Sequence, residues 1–241
     1  MTARRVASRT VGCAGARIVV FWVMRAAVAL AVLLALASPP VRAQVALYDS
    51  LLHEAAATGD IELTRYLLDG GAAVDARAAL DGVTPLHSAA RSGEAEVARL
   101  LLARGAAVGA RAVGYYTPLH MAAVEGHGVM AELLLAQGAE VDALSSGGTP
   151  LHLAAREGHV AMAELLVAHG AEVNARGGGG YDQIPLMMAA RNGHAAVTVV
   201  LLRHGAVVAA RDNEGMTALA QARALGRDEV VDLLRRHGAQ E

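Results

Sequence analysis

Thr84-Pro85-Leu86-His87 returns as Thr117-Pro118-Leu119-His120 and again as Thr149-Pro150-Leu151-His152, and weaker copies begin at Ser50 (SLLH), Ile184 (IPLM) and Thr217 (TALA). Successive copies lie 34, 33, 32, 35 and 33 residues apart. A period of that length carrying one motif is the mark of stacked units, each too small to bury its apolar side without a neighbour.

The agreement runs outward from the motif through each unit. Paired alanines follow it at Ala55-Ala56, Ala89-Ala90, Ala122-Ala123, Ala154-Ala155 and Ala189-Ala190, and then a glycine at Gly59, Gly93, Gly126, Gly158, Gly193 or Gly226. A leucine pair and a second Gly-Ala close the unit, as in Leu101-Leu102 and Gly105-Ala106, Leu165-Leu166 and Gly170-Ala171, and Leu201-Leu202 and Gly205-Ala206. Thr before Pro predicts a capping hydroxyl with Pro at the first helical position. The alanines keep that helix slim, the glycines end the first and second helices in left-handed backbone, and the leucines supply the apolar face between layers.

These recurring positions together resemble the ankyrin-repeat family over essentially all of Val45 to Glu241, in about six units (45–78, 79–111, 112–143, 144–176, 179–211, 212–241). The resemblance implies an all-α repeat solenoid of helix-turn-helix units with β-hairpin fingers, binding proteins through finger tips and a concave helix face. Three departures stand out. Ala218 replaces Pro in the last unit, where Arg235 and Arg236 make the outer side polar, as a terminal cap requires. The fifth unit has Ile184 for Thr and Met187 for His. It is preceded by Gly177 to Gly180, which predicts a longer, mobile finger.

Ten histidines recur in step with the units. Equivalent residues on stacked helices sit about 8–10 Å apart, whereas zinc holds imidazoles at about 2 Å, so the stripe predicts no metal site. The motif histidines are expected to tie each finger to its own helix and to the next. All 21 basic residues are Arg, which removes a phosphate-loop or Schiff-base lysine. No nucleophile elbow, HExxH pair or EF-hand loop is present, and the glycine run does not lead into GK[ST]. The chain is read as non-enzymatic, with no cofactor.

The N-terminal 43 residues read as an address. Arg4, Arg5, Arg9, Arg17 and Arg25 precede the apolar run Ala26–Ala37, and Val41-Arg42-Ala43 comes after it, the order of a secretory signal peptide cleaved after Ala43. A leader starting at Met24 would suffice. The alternative is an inner-membrane anchor, since Ile18–Ala37 is a nearly apolar stretch of 20 residues, though Arg25 within it costs about 2.5–3.5 kcal/mol near a bilayer centre. The sole cysteine, Cys13, leaves with the signal. A lysine-free, Arg- and Ala-rich exported chain suggests a bacterium and hence the periplasm, or secretion. Beyond residue 43 there are 15 arginines and all 23 acidic residues, a net charge of −8 that argues against nucleic acid as partner.

The resemblance places partner contacts at finger tips and at the ends of first helices. The candidates are Val83, Tyr115, Tyr116, Tyr181, Gln183 and Met216 on fingers, and Arg91, Arg156 and Arg191 at helix ends. Tyr and Arg are the residues that most often carry interface energy. The three arginines, with Arg77, Arg111, Arg176 and Arg211 near the fingers, suit a partner with an acidic surface. The reading is a monomeric protein-binding scaffold. A toxin-immunity or inhibitor protein would show one very tight partner, and an accessory factor would sustain the activity of a periplasmic enzyme. If translation starts at Met24, deleting residues 2–23 leaves export unchanged; loss of the protein from the periplasmic fraction would place the start upstream.

Overall fold

The structure is a computed structural model that describes residues 41–177, 180 and 182–240, with burial described from residue 46. Tyr48–Glu241 forms one compact unit and is described by itself. The leader, its alternative start at Met24 and the apolar stretch Ile18–Ala37 lie outside the described residues. The processing point expected after Ala43 falls in the first turn of a helix that begins at Val41. Among the described residues no helix is long and apolar enough to cross a membrane.

The described residues contain twelve helices: α1 (Val41–Thr58) and α2 (Ile61–Asp69), α3 (Pro85–Ser92) and α4 (Ala95–Ala103), α5 (Pro118–Glu125) and α6 (Gly128–Ala136), α7 (Pro150–Glu157) and α8 (Val160–Ala168), α9 (Pro185–Asn192) and α10 (Ala195–Arg203), α11 (Ala218–Ala224) and α12 (Asp228–Arg236). From α3 onward each first helix packs on the next first helix, and from α2 onward each second helix on the next second helix. Two helical layers result, and the core is the seam between them. Its register repeats residue by residue: Leu52, Leu86, Leu119, Leu151, Leu186 and Leu219 fill one position, and Leu67, Leu101, Leu134, Leu166, Leu201 and Leu234 another, all completely or almost completely buried. The paired alanines beside them are equally buried. Each leucine contributes about 2–3 kcal/mol on burial.

The motif threonines cap as predicted. Thr84, Thr117 and Thr149 are extended, with Pro at the first helical position, and the third helical residue of each capping box is the histidine. In the central unit the Thr117 N–H donates to Nδ1 of His120 at 3.1 Å, and the Thr117 hydroxyl lies 2.8 Å from the same nitrogen. The other ring nitrogen, Nε2, donates to the carbonyl of Gly148 in the next finger at 3.1 Å. A carbonyl can only accept, so Nε2 carries the hydrogen and Nδ1 accepts. The rings of His87 and His152 bind Tyr116 O and Gln183 O in the same way, at 3.0 and 2.9 Å. His53 reaches Val83 O at 2.9 Å.

A second set of ties crosses the last four junctions at the other end of the first helix. His127, His159 and His194 use Nε2 to hold the carbonyls of Arg91, Val124 and Arg156 in the preceding unit, at 3.0, 2.8 and 2.9 Å. Arg227 does the same to Arg191 O at 3.1 Å. These rings explain the mid-repeat glycines. Gly126 ends α5 with φ +76°, and a Cβ there would lie 2.8 Å from the His159 ring. Backbone conformation and the approach of the next unit therefore demand glycine together.

Ser50, where the weak first copy of the motif begins, lies inside α1. One expectation is corrected. The fingers are not extended strands: the bridges among the described residues are the isolated pairs Ser145–Gly148 and Gly177–Gln183. The finger at Gly177 is closed at its base by two hydrogen bonds of 3.0 and 2.9 Å between Gly177 and Gln183, while the mobility expected of its tip concerns Gly178, Gly179 and Tyr181, which lie outside the described residues. The last unit matches the expectation of a polar cap. Asp228 and Glu229 open α12, Arg235 and Arg236 close it, and all four are exposed.

Burial is the largest cause that pulls the rings of His87, His120 and His152 below the ordinary imidazole value of 6.5, His120 to about 4. Protonation would put a hydrogen on Nδ1 facing a backbone N–H. The unfolded chain binds protons near 6.5 and the folded chain does not, so this stability is present above 6.5 and is lost as pH falls toward 4. Melting followed by circular dichroism is expected to show a Tm that falls across this window, and His120→Gln is expected to flatten the fall. His120→Ala strands the Thr117 amide and removes the tie to the Gly148 carbonyl, which keeps its bonds from Ser145, a loss of about 2 kcal/mol in urea unfolding. Gly126→Ala is expected to cost at least about 2 kcal/mol, whereas Gly109→Ala, with open space around its Cβ, is expected to be close to neutral.

Candidate protein-binding surface

Successive fingers are joined edge to edge by backbone. Val113 N–H donates to Asp81 O at 2.7 Å, and Ser146 N–H donates to Gly114 O at 2.8 Å. The finger arginines reinforce these joints. Arg77 Nη1 donates to Arg111 O at 2.8 Å, Arg111 Nη1 to Leu144 O at 3.4 Å, and Arg176 Nη1 to Arg211 O at 3.1 Å. Arg176 also pairs with Asp182, and Arg211 binds Gly215 O. The four arginines near the fingers therefore hold finger to finger and finger to itself.

Apolar side chains stand out from this braced row. Leu80 is 97% exposed, Val113 69%, Tyr115 64% and Leu144 52%. They belong to three consecutive fingers and lie within two residues of the linking hydrogen bonds, so the braces fix their order along one edge. Tyr115 closes a short 3-10 turn, Val113–Tyr115, with φ +64°, a left-handed backbone that a tyrosine adopts at a cost of about 1–2 kcal/mol. Strain spent to present an exposed aromatic is a feature associated with binding sites.

The candidate residues divide. Tyr115 is exposed, whereas Tyr116 is half-buried, its ring lying 5.6 Å from that of His120 in an edge-on arrangement and its hydroxyl covering Gly147. Val83 and Gln183, expected at exposed tips, are 6% and 2% exposed. Each directly precedes a cap residue and offers its carbonyl to the motif histidine of the unit before, which turns it into the junction. Arg91 and Arg191 are exposed at the ends of α3 and α9; Arg156 is half-exposed and bound by Glu157 at 2.7 Å. Tyr181 lies outside the described residues.

Gln183, Arg191 and Met216 come together in one cleft between the fifth and sixth units, around Asp212, with a volume of about 220 Å³. The Asp212 carboxylate accepts from the amides of Glu214 and Met216 at 3.0 and 2.8 Å, and from Nε2 of Gln183 and Gln221 at 3.2 and 2.8 Å. Burial pushes its carboxyl up, but these hydrogen bonds outweigh burial and hold it below the ordinary value, so it is ionised at neutral pH. Leu144, Asp212 and Gln221 escaped the reading of the sequence. Gln221 carried a signal: a polar amide stands where Met121, Leu153 and Met188 stand in the preceding units. Among the described residues no three His, Cys, Asp or Glu side chains gather as a metal would need.

A row of helix pairs bearing braced fingers defines a repeat protein of stacked units. A family model described as ankyrin repeats (3 copies) matches residues 24–112, 107–177 and 178–241. The chain belongs to the ankyrin-repeat family, whose repeats are generally protein–protein interaction modules and typically non-catalytic scaffolds. No curated protein matches the chain. If Tyr115 is held in strain for its exposed ring, Tyr115→Gly raises stability by about 1 kcal/mol in urea unfolding, while Tyr116→Ala lowers it by about 2 kcal/mol through lost cover.

Proposed function

We propose that the protein is a monomeric periplasmic scaffold that binds another protein along the finger edge formed by Leu80, Val113, Tyr115 and Leu144. The observation that carries the reading is this exposed apolar edge, ordered by backbone bonds between fingers and holding a strained tyrosine on its middle finger. The arginine-led order of residues 4–43 supports export, and the exposed Arg91 and Arg191 support a partner whose facing surface is acidic. Binding needs no cofactor.

The test is an affinity capture from periplasmic extract by the mature chain beside the variant Leu80→Ser, Val113→Ser, Tyr115→Ala, Leu144→Ser. A partner kept by the wild type and released by the still-folded variant supports the edge, because exposed apolar anchors carry much of such affinity. A partner held equally by both removes the edge from the reading. Replacing Arg91, Arg156 and Arg191 by Gln is expected to weaken binding at low salt and to flatten its salt dependence; unchanged affinity at every salt concentration would remove the acidic surface.

A further inference from the structure

The described links between fingers run in one direction. A later finger donates a tip N–H back to the finger before it, Val113 to Asp81 O at 2.7 Å and Ser146 to Gly114 O at 2.8 Å. An earlier finger sends its arginine forward, Arg77 to Arg111 O and Arg111 to Leu144 O. The fingers of the fifth and sixth units keep the same sense, with Asn213 Nδ2 donating back to Gly180 O and Arg176 forward to Arg211 O. A row of directional links has unlike ends. Ala79 stands three residues after Ala76, as Val113 and Ser146 stand after Ala110 and Ala143, and Arg77 stands in the place of Arg111 and Leu144. Among the described residues, neither the Ala79 N–H nor the Arg77 carbonyl has a hydrogen-bond partner. The reason lies in the first unit, where the residues ahead of Ser50 that would form a finger are part of α1, unbroken from Val41. The first finger is therefore held at its base alone, by His53 on Val83 O, whereas the next two are held at the base by His87 and His120 and at the tip by the finger before.

We propose that this open end is a docking site for a turn of the partner protein that carries an arginine and completes the row as one more finger. The row itself specifies what the turn presents: a main-chain carbonyl for the Ala79 N–H and a guanidinium for the Arg77 carbonyl, as Asp81 and Arg77 present to the finger that follows them. An edge of unpaired donors and acceptors is a template for another chain, and addition of an extended segment to such an edge is a recurring mode of recognition. Ala79 and Arg77 are exposed, and the Arg77 guanidinium is engaged on Arg111, on the side of the following finger. Exposed Asp81 adds a negative charge to the same finger. Leu80, 97% exposed, gives the turn an apolar contact and is also the first residue of the apolar finger edge, so one partner covers both without a gap. The inference rests on the reading of the fingers as the binding edge and adds the chemistry of the segment that meets the first of them.

The probe is the chain's own first finger, residues 76–84, closed into a ring through added terminal cysteines, because its following side carries the required carbonyl and arginine. Titrated into the isotope-labelled protein, the ring is expected to move the Ala79 amide signal downfield saturably in NMR spectra, with lesser shifts at Arg77 and Leu80. A ring whose arginine is replaced by methionine is expected to bind about fivefold more weakly, the effect of losing one charge-assisted bond at an exposed site. In the protein, Ala79→Pro deletes the donor and is expected to abolish the response, whereas Ala79→Gly keeps the N–H and the response; an unmoved Val113 amide reports that the rest of the row is intact. No saturable shift at Ala79, equal binding of the methionine ring, or a response that survives Ala79→Pro would overturn the docking site. An Ala79 signal that shifts with protein concentration alone, with a doubled mass in sedimentation, would give the open end to a second copy and overturn it as well. A partner captured through Leu80, Val113, Tyr115 and Leu144 while the ring leaves Ala79 unmoved would keep the finger edge and remove only its open end.

Discussion

The structure depends on a bridging imidazole, from His87, His120 or His152, at each of its three central junctions. A ring that accepts from its own unit through Nδ1 and donates to the next through Nε2 does two things that apolar packing cannot. It fixes the helix start, by holding the amide of the cap residue, and it sets the distance to the following finger, by holding a backbone carbonyl. Leucines and alanines supply most of the free energy of the stack, but leucine layers alone tolerate sliding. A buried ring with two directional bonds does not, since displacement would strand several polar groups at once. A second set of histidines holds carbonyls at the far end of the first helix, so these three junctions are each held at two points.

Those two points also place the binding residues. The carbonyls of Arg91, Val124, Arg156 and Arg191 are the ones held from the next unit, and their side chains project from that held backbone. On the finger side, the arginines that look like free positive charge in the sequence are consumed in bracing backbone. The finger edge is therefore stiff, and stiffness reduces the ordering cost of association.

Much of this was legible in the sequence because a repeat averages out local ambiguity. Period, caps, glycine stops and the bridging role of the motif histidines can all be read from residues that recur together. Features that did not recur were harder to place. Val83, Tyr116 and Gln183 occupy the same register before a cap, and nothing in their identities reveals that this register turns inward; the direction is set by the carbonyl each one offers to a histidine in another unit. The strain at Tyr115 was hidden for a similar reason, since it arises from a turn whose course depends on the neighbouring fingers. Leu144 comes directly after Asp142-Ala143, and only the courses of the Gly114 and Ser146 backbones show that it joins Leu80, Val113 and Tyr115 along one edge. The cluster around Asp212 joins residues from two units, and its one sequence signal was an amide in an apolar slot.

At most junctions the bond that crosses ends on a main-chain carbonyl, which every residue type possesses. Such an interface is indifferent to the identity of the next unit, so units on either side of it are interchangeable in principle, and an array can gain or lose one without redesign of the joint. The Gln183–Asp212–Gln221 junction is of another kind. Beside its ties to the carbonyls of Arg191 and Arg211 it has a bond between side chains on both sides, Gln183 to Asp212, which an ordinary unit does not supply. It works as a keyed coupling at the end of a row of universal ones, and it fixes which unit comes last.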